Sequence, residues 1–179
     1  MAAMMNGMAL HGGVIPFGGT FLVFSDYERP ALRLGAIQNI RVLHEFTHDS
    51  FYVGEDGPTH QPIEHAMALR TIPGFNVFRP ADAKETAICF RISLEKKDTP
   101  SALLLTRQGV PIFEENYEKI EPGVRKGGYI IRDCSGQPDL VFIATGSEVS
   151  LALETADLFN DKNVRVVSMP CLEIFERQS

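Results

Sequence analysis

Three cysteines in 179 residues, Cys89, Cys134 and Cys171, are odd in number and widely separated. Neither a disulfide framework nor a Cys-x-x-Cys metal site is expected, and reduced thiols in a cytoplasmic setting are the default. Positive charge is also short: 17 Lys and Arg face 23 Asp and Glu, for a formal net charge of −6. That balance argues against a nucleic-acid partner, which needs clustered basic residues. An anionic ligand would have to be met by a local basic site. No apolar run approaches membrane-spanning length, and the opening Met1-Ala2-Ala3-Met4-Met5 lacks the basic start of a secretion signal, so no membrane partner is expected. Internal repeats and low-complexity tracts are absent too. What remains is a globular composition, 44% hydrophobic and 22% charged, enough for one full domain or one plus part of another.

The chain is organised around residues 47–62, THDSFYVGEDGPTHQP, a polar stretch with His48 and His60, acids at Asp49, Glu55 and Asp56, and two glycines and two prolines. Residues 41–46 before it suit a mostly buried strand, and Ile63, Ala66, Met67 and Arg70 after it recur at helical spacing. The stretch therefore reads as a long loop at the C-terminal end of a strand, where open α/β sheets bind ligands. Upstream, residues 1–10 predict a buried helix stopped by Gly12 and Gly13, and residues 17–20 a turn or short strand. Phe21, Phe24 and Tyr27 follow at helical intervals, and Pro30 is expected to restart a second helix through Leu34 and Ile37.

Downstream, residues 75–78 and 101–106 predict strands. Between them Asp82 and Glu85 make a capping-box-like start to a helix reaching Lys97, with Ala87, Phe90 and Leu94 on one face. Residues 111–126 are polar, acidic and interrupted by Pro122-Gly123, and read as a linker. A new α/β unit follows, with strands at 129–131, 140–144 and 164–167 and a helix from Ser147 capped by Thr145 with Glu148. Strands alternating with helices imply a mostly parallel sheet flanked by helices, followed by an incomplete second α/β domain.

On the residues alone, a loop like 47–62 is by default a solvated turn whose histidines cap or face water. A metal site is a second reading, although the spacing matches no compact zinc pattern. A third is recognition of a hydroxylated, phosphorylated ligand, for which imidazole and carboxylate are suited. Phe21, Phe24 and Tyr27 read as core. Arg107 at a strand end is either a structural ion pair or a phosphate anchor, and Arg79 reads as structural. The corner 145–147 reads as a plain helix cap.

His48-Asp49-Ser50 followed by GEDGPTHQP at residues 54–62 resembles the signature of the transketolases. The similarity extends through GGTFLVFSDY (18–27), FRPAD (78–82), Arg107-Gln108 and IATGSEV (143–149). The resemblance implies an enzyme dependent on thiamine diphosphate and Mg²⁺, a homodimer that moves two-carbon ketol units between sugar phosphates in the pentose phosphate pathway. It also implies the division: residues 1–110 a pyrimidine-binding domain lacking its N-terminal part, 111–126 a linker, 127–179 the start of the C-terminal domain. By the same resemblance His48 contacts substrate phosphate, Asp56 a substrate hydroxyl, and His60 the substrate beside the cofactor's reactive centre. Phe24 stacks on the cofactor's pyrimidine ring, Phe21 and Tyr27 line that pocket, and Arg107 anchors phosphate.

The glutamate that activates the cofactor in this family falls just ahead of the position of Met1, and the metal ligands belong to an upstream domain. These residues by themselves are thus expected to be inactive. A non-catalytic truncated or interaction domain and the related dihydroxyacetone synthase are the alternatives. Phe51-Tyr52 departs from the family pattern after His48-Asp49-Ser50 and is expected to narrow the substrate channel or alter the choice of sugar. Gly109 departs where asparagine is common.

Overall fold

In the computed structural model, which describes residues 1–114 and 117–178, four strands pair in parallel in the order β1-β2-β4-β3. They are β1 Phe17–Phe21, β2 Leu43–Thr47, β3 Asn76–Phe78 and β4 Ser101–Leu104. β3 and β4 are buried at every position, as expected of parallel strands covered on both faces. The register sets Phe21 beside Thr47 and Phe46 beside Leu104, so three strands end level with one another. The described residues divide into two compact units, one of residues 1–78 with 90–108, the other of 79–89 with 109–178. None of their helices is long and apolar enough to cross a membrane.

In the first unit, α1 (Ala2–His11) and α2 (Ser25–Ile37) flank the sheet. α1 ends at Gly12 as expected, but it is buried on one face only, at Ala2, Met5 and Asn6, while Met1, Met4, Met8 and Leu10 are exposed. That face packs on α2, with Asn6 Nδ2 donating to the Ala31 carbonyl at 2.8 Å. α2 is one helix running through Pro30, not two. Pro30 lies so near the N-terminus that its missing N–H forfeits only the bond to the Asp26 carbonyl. The core joins Leu22, Leu32 and Ala36 to Phe46, Leu69, Phe75 and Leu104.

His44 on β2 is 1% exposed, lies against the rings of Phe46 and Phe75, and has no hydrogen bond to either ring nitrogen. Glu28 Oε2 stands 3.9 Å from its Nδ1. Burial pushes the imidazole down from 6.5 to about 4, and burial likewise pushes the Glu28 carboxyl up. Between pH 6.5 and about 4 the unfolded chain therefore binds the His44 proton and the folded one does not. Stability attributable to His44 is then full above that window and lost as pH falls through it, by about 3 kcal/mol in all. His44→Phe should abolish this part of the acid sensitivity. Urea melts of both proteins from neutral pH downward check it, and parallel stability curves would count against it.

α4, Ala83–Glu95, has Asp82 as its cap, Oδ1 accepting the Glu85 N–H at 2.8 Å. The buried stripe is Glu85, Ile88, Cys89, Ile92 and Ser93, not the expected Ala87, Phe90 and Leu94. The sequence reading tracked the largest apolar residues and so missed that the inward face carries a glutamate.

In the second unit β5 (Tyr129–Arg132), β6 (Leu140–Ala144) and β7 (Val164–Ser168) form a sheet ordered β5-β7-β6, antiparallel on the β5 side and parallel on the β6 side. The span read as a linker carries a helix, α5 Tyr117–Val124, because Ile120 and Val124, four apart, are both buried. Glu115 and Asn116 in that span lie outside the described residues. The helix after β6 is α6, Glu148–Ala156, but Thr145 does not cap it. The Thr145 hydroxyl donates to the Arg79 carbonyl at 3.2 Å, and Glu148 pairs with the Arg79 guanidinium, which gives Arg79 its structural role. Gly127 has φ +84°, and a Cβ there would lie 2.3 Å from the Cys171 carbonyl oxygen, so only glycine fits.

Candidate functional site

The parallel register is what assembles the site. β1 ends at Phe21, the 3₁₀ turn Leu22–Phe24 follows, and α2 opens at Ser25, so Phe21, Phe24 and Tyr27 ride a single strand-to-helix corner. β2 ends beside it at Thr47, which delivers His48 to the same corner. The Phe21 and His48 rings stack at 3.8 Å and 25°, and Phe21 lies 6.2 Å from Phe24 with the planes 14° apart. Tyr27 continues the series at 6.2 Å from Phe24 and is 85% exposed, so it is a rim residue and not core. His60, twelve residues on from His48, comes back edge-on to Phe24 at 5.3 Å and to Phe21 at 6.0 Å. Two histidines distant in sequence thus share one pair of phenylalanine rings.

Hydrogen bonds fold the loop back onto the corner. Asp49 N–H donates to the Leu105 carbonyl at 3.2 Å, and Gln61 Nε2 donates to the Ser50 carbonyl at 3.3 Å, joining the loop's two ends. His60 N–H donates to the Gly57 carbonyl at 3.1 Å. Gly54 and Gly57 both take positive φ, +89° and +80°. His48 does as well, at +59°, in a region that residues other than glycine, asparagine and aspartate rarely adopt.

Arg107 lies three residues beyond the end of β4, in the exposed turn after it, and not at the strand end. Its guanidinium carbon would be 3.2 Å from a Cβ at Gly54, so the bare glycine gives the arginine room. Arg107 is exposed and has no ion pair or hydrogen bond among the described residues. Asp56 is exposed in the turn between Gly54 and Gly57. Phe51 and Tyr52 are 83% and 62% exposed and pack edge-on to each other at 5.9 Å. The structure therefore gathers Phe21, Phe24, Tyr27, His48 and His60 into one ring cluster, and leaves Asp56 and Arg107 on the loop and the turn beside it.

Sequence reasoning missed the partnership of Asp26 with His65. From its place in the sequence alone Asp26 reads as a solvated or capping acid. It accepts a hydrogen bond from His65 Nε2 at 3.2 Å, fastening α3 (His65–Arg70) to the start of α2. The signal lay in the helical spacing that turns His65 inward with Leu69, both buried. Asp26, Glu64 and His65 have ligand atoms within 4.8 Å of one another, the spacing of a cation site. The donor chemistry opposes one: the Ile63 N–H donates to His65 Nδ1 at 3.2 Å, so the ring proton sits on Nε2, the nitrogen a metal would need. Asp26 and His65 form a hydrogen-bonded clamp, with Glu64 3.9 Å from the ring's Nδ1.

Comparison with known proteins gives the family of the chain. The family model described as the transketolase pyrimidine-binding domain matches residues 1–112, and the one described as the transketolase-like C-terminal domain matches residues 127–179. A transketolase of Aquifex aeolicus is 49% identical over 180 residues, covering 99% of this chain and 26% of that protein. The structure of transketolase from Leishmania mexicana superposes with a TM-score of 0.92 at 47% identity, over 99% of this chain and 26% of that one. A Pichia stipitis transketolase complexed with sedoheptulose-7-phosphate superposes equally, TM-score 0.92 at 40% identity, over 100% and 26%. The chain spans about a quarter of the length of these relatives.

Proposed function

The chain belongs to the transketolase family, and from that premise we propose that it forms one wall of a site for moving a two-carbon ketol unit from a ketose phosphate to an aldose phosphate. The observation that carries the proposal is the placement of His48 and His60 on the Phe21–Phe24 pair at the C-terminal strand ends. We assign residues 1–110 to the pyrimidine-binding domain, 111–126 to the connection and 127–179 to the C-terminal domain. Pathway and setting follow the family: the pentose phosphate pathway, in the cytoplasm, as a homodimer.

The cofactor reading is tested by the rings. A flat aminopyrimidine calls for aromatic faces and exclusion of water. Phe21 and Phe24 lie nearly parallel, with Tyr27 at their rim and no charged side chain among their ring contacts with the described residues. These residues fit the pyrimidine end of thiamine diphosphate. The Mg²⁺ and the diphosphate are assigned to the remaining three quarters of a transketolase. When bound, thiamine diphosphate supplies the electron sink that lets a carbon–carbon bond beside a carbonyl break.

This chain's residues then have separable tasks. Phe24, Phe21 and Tyr27 hold and shield the pyrimidine. His48 and Arg107 bind substrate phosphate, Arg107 through charge-assisted hydrogen bonds for which its guanidinium is unengaged. Asp56 accepts a bond from a substrate hydroxyl. His60 presents Nε2 to the reacting end of the sugar and holds or releases a proton there.

The test is ketol transfer by a protein carrying these residues at the full length of its relatives, assayed with and without thiamine diphosphate. Absence of thiamine-dependent transfer would overturn the reading. In the same protein Arg107→Ala should weaken phosphorylated donors by about 1.5–3 kcal/mol, roughly tenfold or more in KM. An equal loss with an unphosphorylated donor would remove Arg107 from the phosphate site.

A further inference from the structure

Two residues with no task so far stand in the same relation to the two histidines of the site. Thr47 precedes His48 and Thr59 precedes His60, and in each dipeptide the threonine Oγ1 meets the neighbouring ring's Nδ1, at 3.0 Å and 2.8 Å. Neither hydroxyl has a second hydrogen-bond partner among the described residues, and neither Nε2 has one there. The loop has thus built the same local device twice, at its first and last turns.

A neutral imidazole carries one ring proton, and the partner of one nitrogen decides where it sits. A hydroxyl has one proton to give and lone pairs to receive with. If Thr47 and Thr59 donate to Nδ1, each hydroxyl proton is used, and each ring carries its own proton on Nε2. If they accept, each hydroxyl proton lacks a protein acceptor, and each Nε2 offers a lone pair to the ligand. Phosphate oxygens, the ligand assigned to His48, have no proton to give to such a lone pair, whereas an Nε2–H binds them directly; a carbonyl oxygen at the reacting end of the sugar, assigned to His60, likewise only accepts.

We propose that Thr47 and Thr59 are positioning residues that donate to Nδ1 of His48 and His60 and hold both rings as the Nε2–H tautomer. The site then presents two N–H donors to the oxygens of a sugar phosphate. The ligand in that statement rests on the reading above; the tautomer does not. The stacking of His48 on Phe21 at 3.8 Å helps by fixing the ring plane, so that Nδ1 stays turned to Thr47.

His65 supplies an internal reference. The donor to its Nδ1 is a backbone amide, which can only donate, and its Nε2 faces the Asp26 carboxylate. In the chain labelled with ¹⁵N-histidine, long-range ¹H–¹⁵N correlation in mildly alkaline buffer reads the tautomer of each neutral ring. His48 and His60 are expected to show the His65 pattern, Nδ1 unprotonated and Nε2 protonated. Thr47→Val should move only His48 toward an averaged mixture, Thr59→Val only His60, and serine at either position should restore the pattern. A protonated Nδ1 in the unaltered chain, or valine variants with unmoved shifts, would overturn the proposal. Should a valine variant fail to fold, the unaltered and serine spectra still decide, because an averaged tautomer in either contradicts it. Loss of the ketol-transfer reading would leave these spectra as they are, so the two failures are distinguishable.

Discussion

His60→Ala, made at the full length of the relatives, is expected to lower kcat by about 10²-fold or more while barely moving the melting temperature. The size is that of a general acid or base removed from its substrate. Protein stability should be nearly indifferent because the ring is only partly buried and touches Phe24 and Phe21 edge-on, at 5.3 Å and 6.0 Å. Such contacts are worth about 0.5–1.5 kcal/mol, or a few degrees in Tm. The Thr59 hydroxyl it leaves behind faces water. Steady-state kinetics beside a thermal melt separate the roles. A melt lowered by tens of degrees with kcat intact would make His60 a packing residue.

Glu85→Ala should produce the largest loss of stability anywhere in the second unit. Glu85 is 0% exposed and accepts three hydrogen bonds: from Ala81 N–H at 2.8 Å, Tyr129 O–H at 2.9 Å and Ser168 O–H at 2.6 Å. Removing the carboxyl strands two buried donors and one half-buried one, and opens a cavity. At about 1–3 kcal/mol for each stranded group, the expected loss is about 4 kcal/mol or more, a drop in Tm of roughly 10 °C. Burial raises the carboxyl's pKa above 4.5, the three bonds opposing it in part. A raised folded-state pKa means that Glu85's contribution is fullest below 4.5 and declines as pH rises through the folded value. The Tyr129 hydroxyl is pushed up by its own burial and then by Glu85, which keeps it a donor at any ordinary pH. Calorimetry of Glu85→Ala and Glu85→Gln checks the ledger, glutamine losing less because it retains one acceptor. A loss below about 1 kcal/mol for alanine would mean the three donors find other partners.

The sequence pattern announced some of this and hid the rest for identifiable reasons. The strand at 101–104 was legible because a parallel strand buried on both faces is nearly all apolar, and the one at 43–47 through Leu43 and Phe46 despite the polar residues between and after them. The polar loop was legible because glycines and prolines bound it. The stripe on α4 was misplaced because hydrophobic periodicity assumes that apolar residues face inward, whereas Glu85 is fully buried there, satisfied by partners far along the chain. Tyr27 and Arg107 were placed in core and at a strand end by local spacing, and tertiary structure set both in the open. Only the pairing of β1 with β2 brings His48 onto Phe21, and no local pattern reports a register between strands twenty-six residues apart.

The left-handed backbone at His48 bears on how this protein can change over generations. A single base change in a histidine codon reaches asparagine or aspartate, the non-glycine residues most at ease at such a φ. Both would keep the turn and discard the imidazole. Drift at this position would accumulate well-folded, normally abundant chains that have gone blind to their ligand, a loss that screens for expression or solubility would pass over.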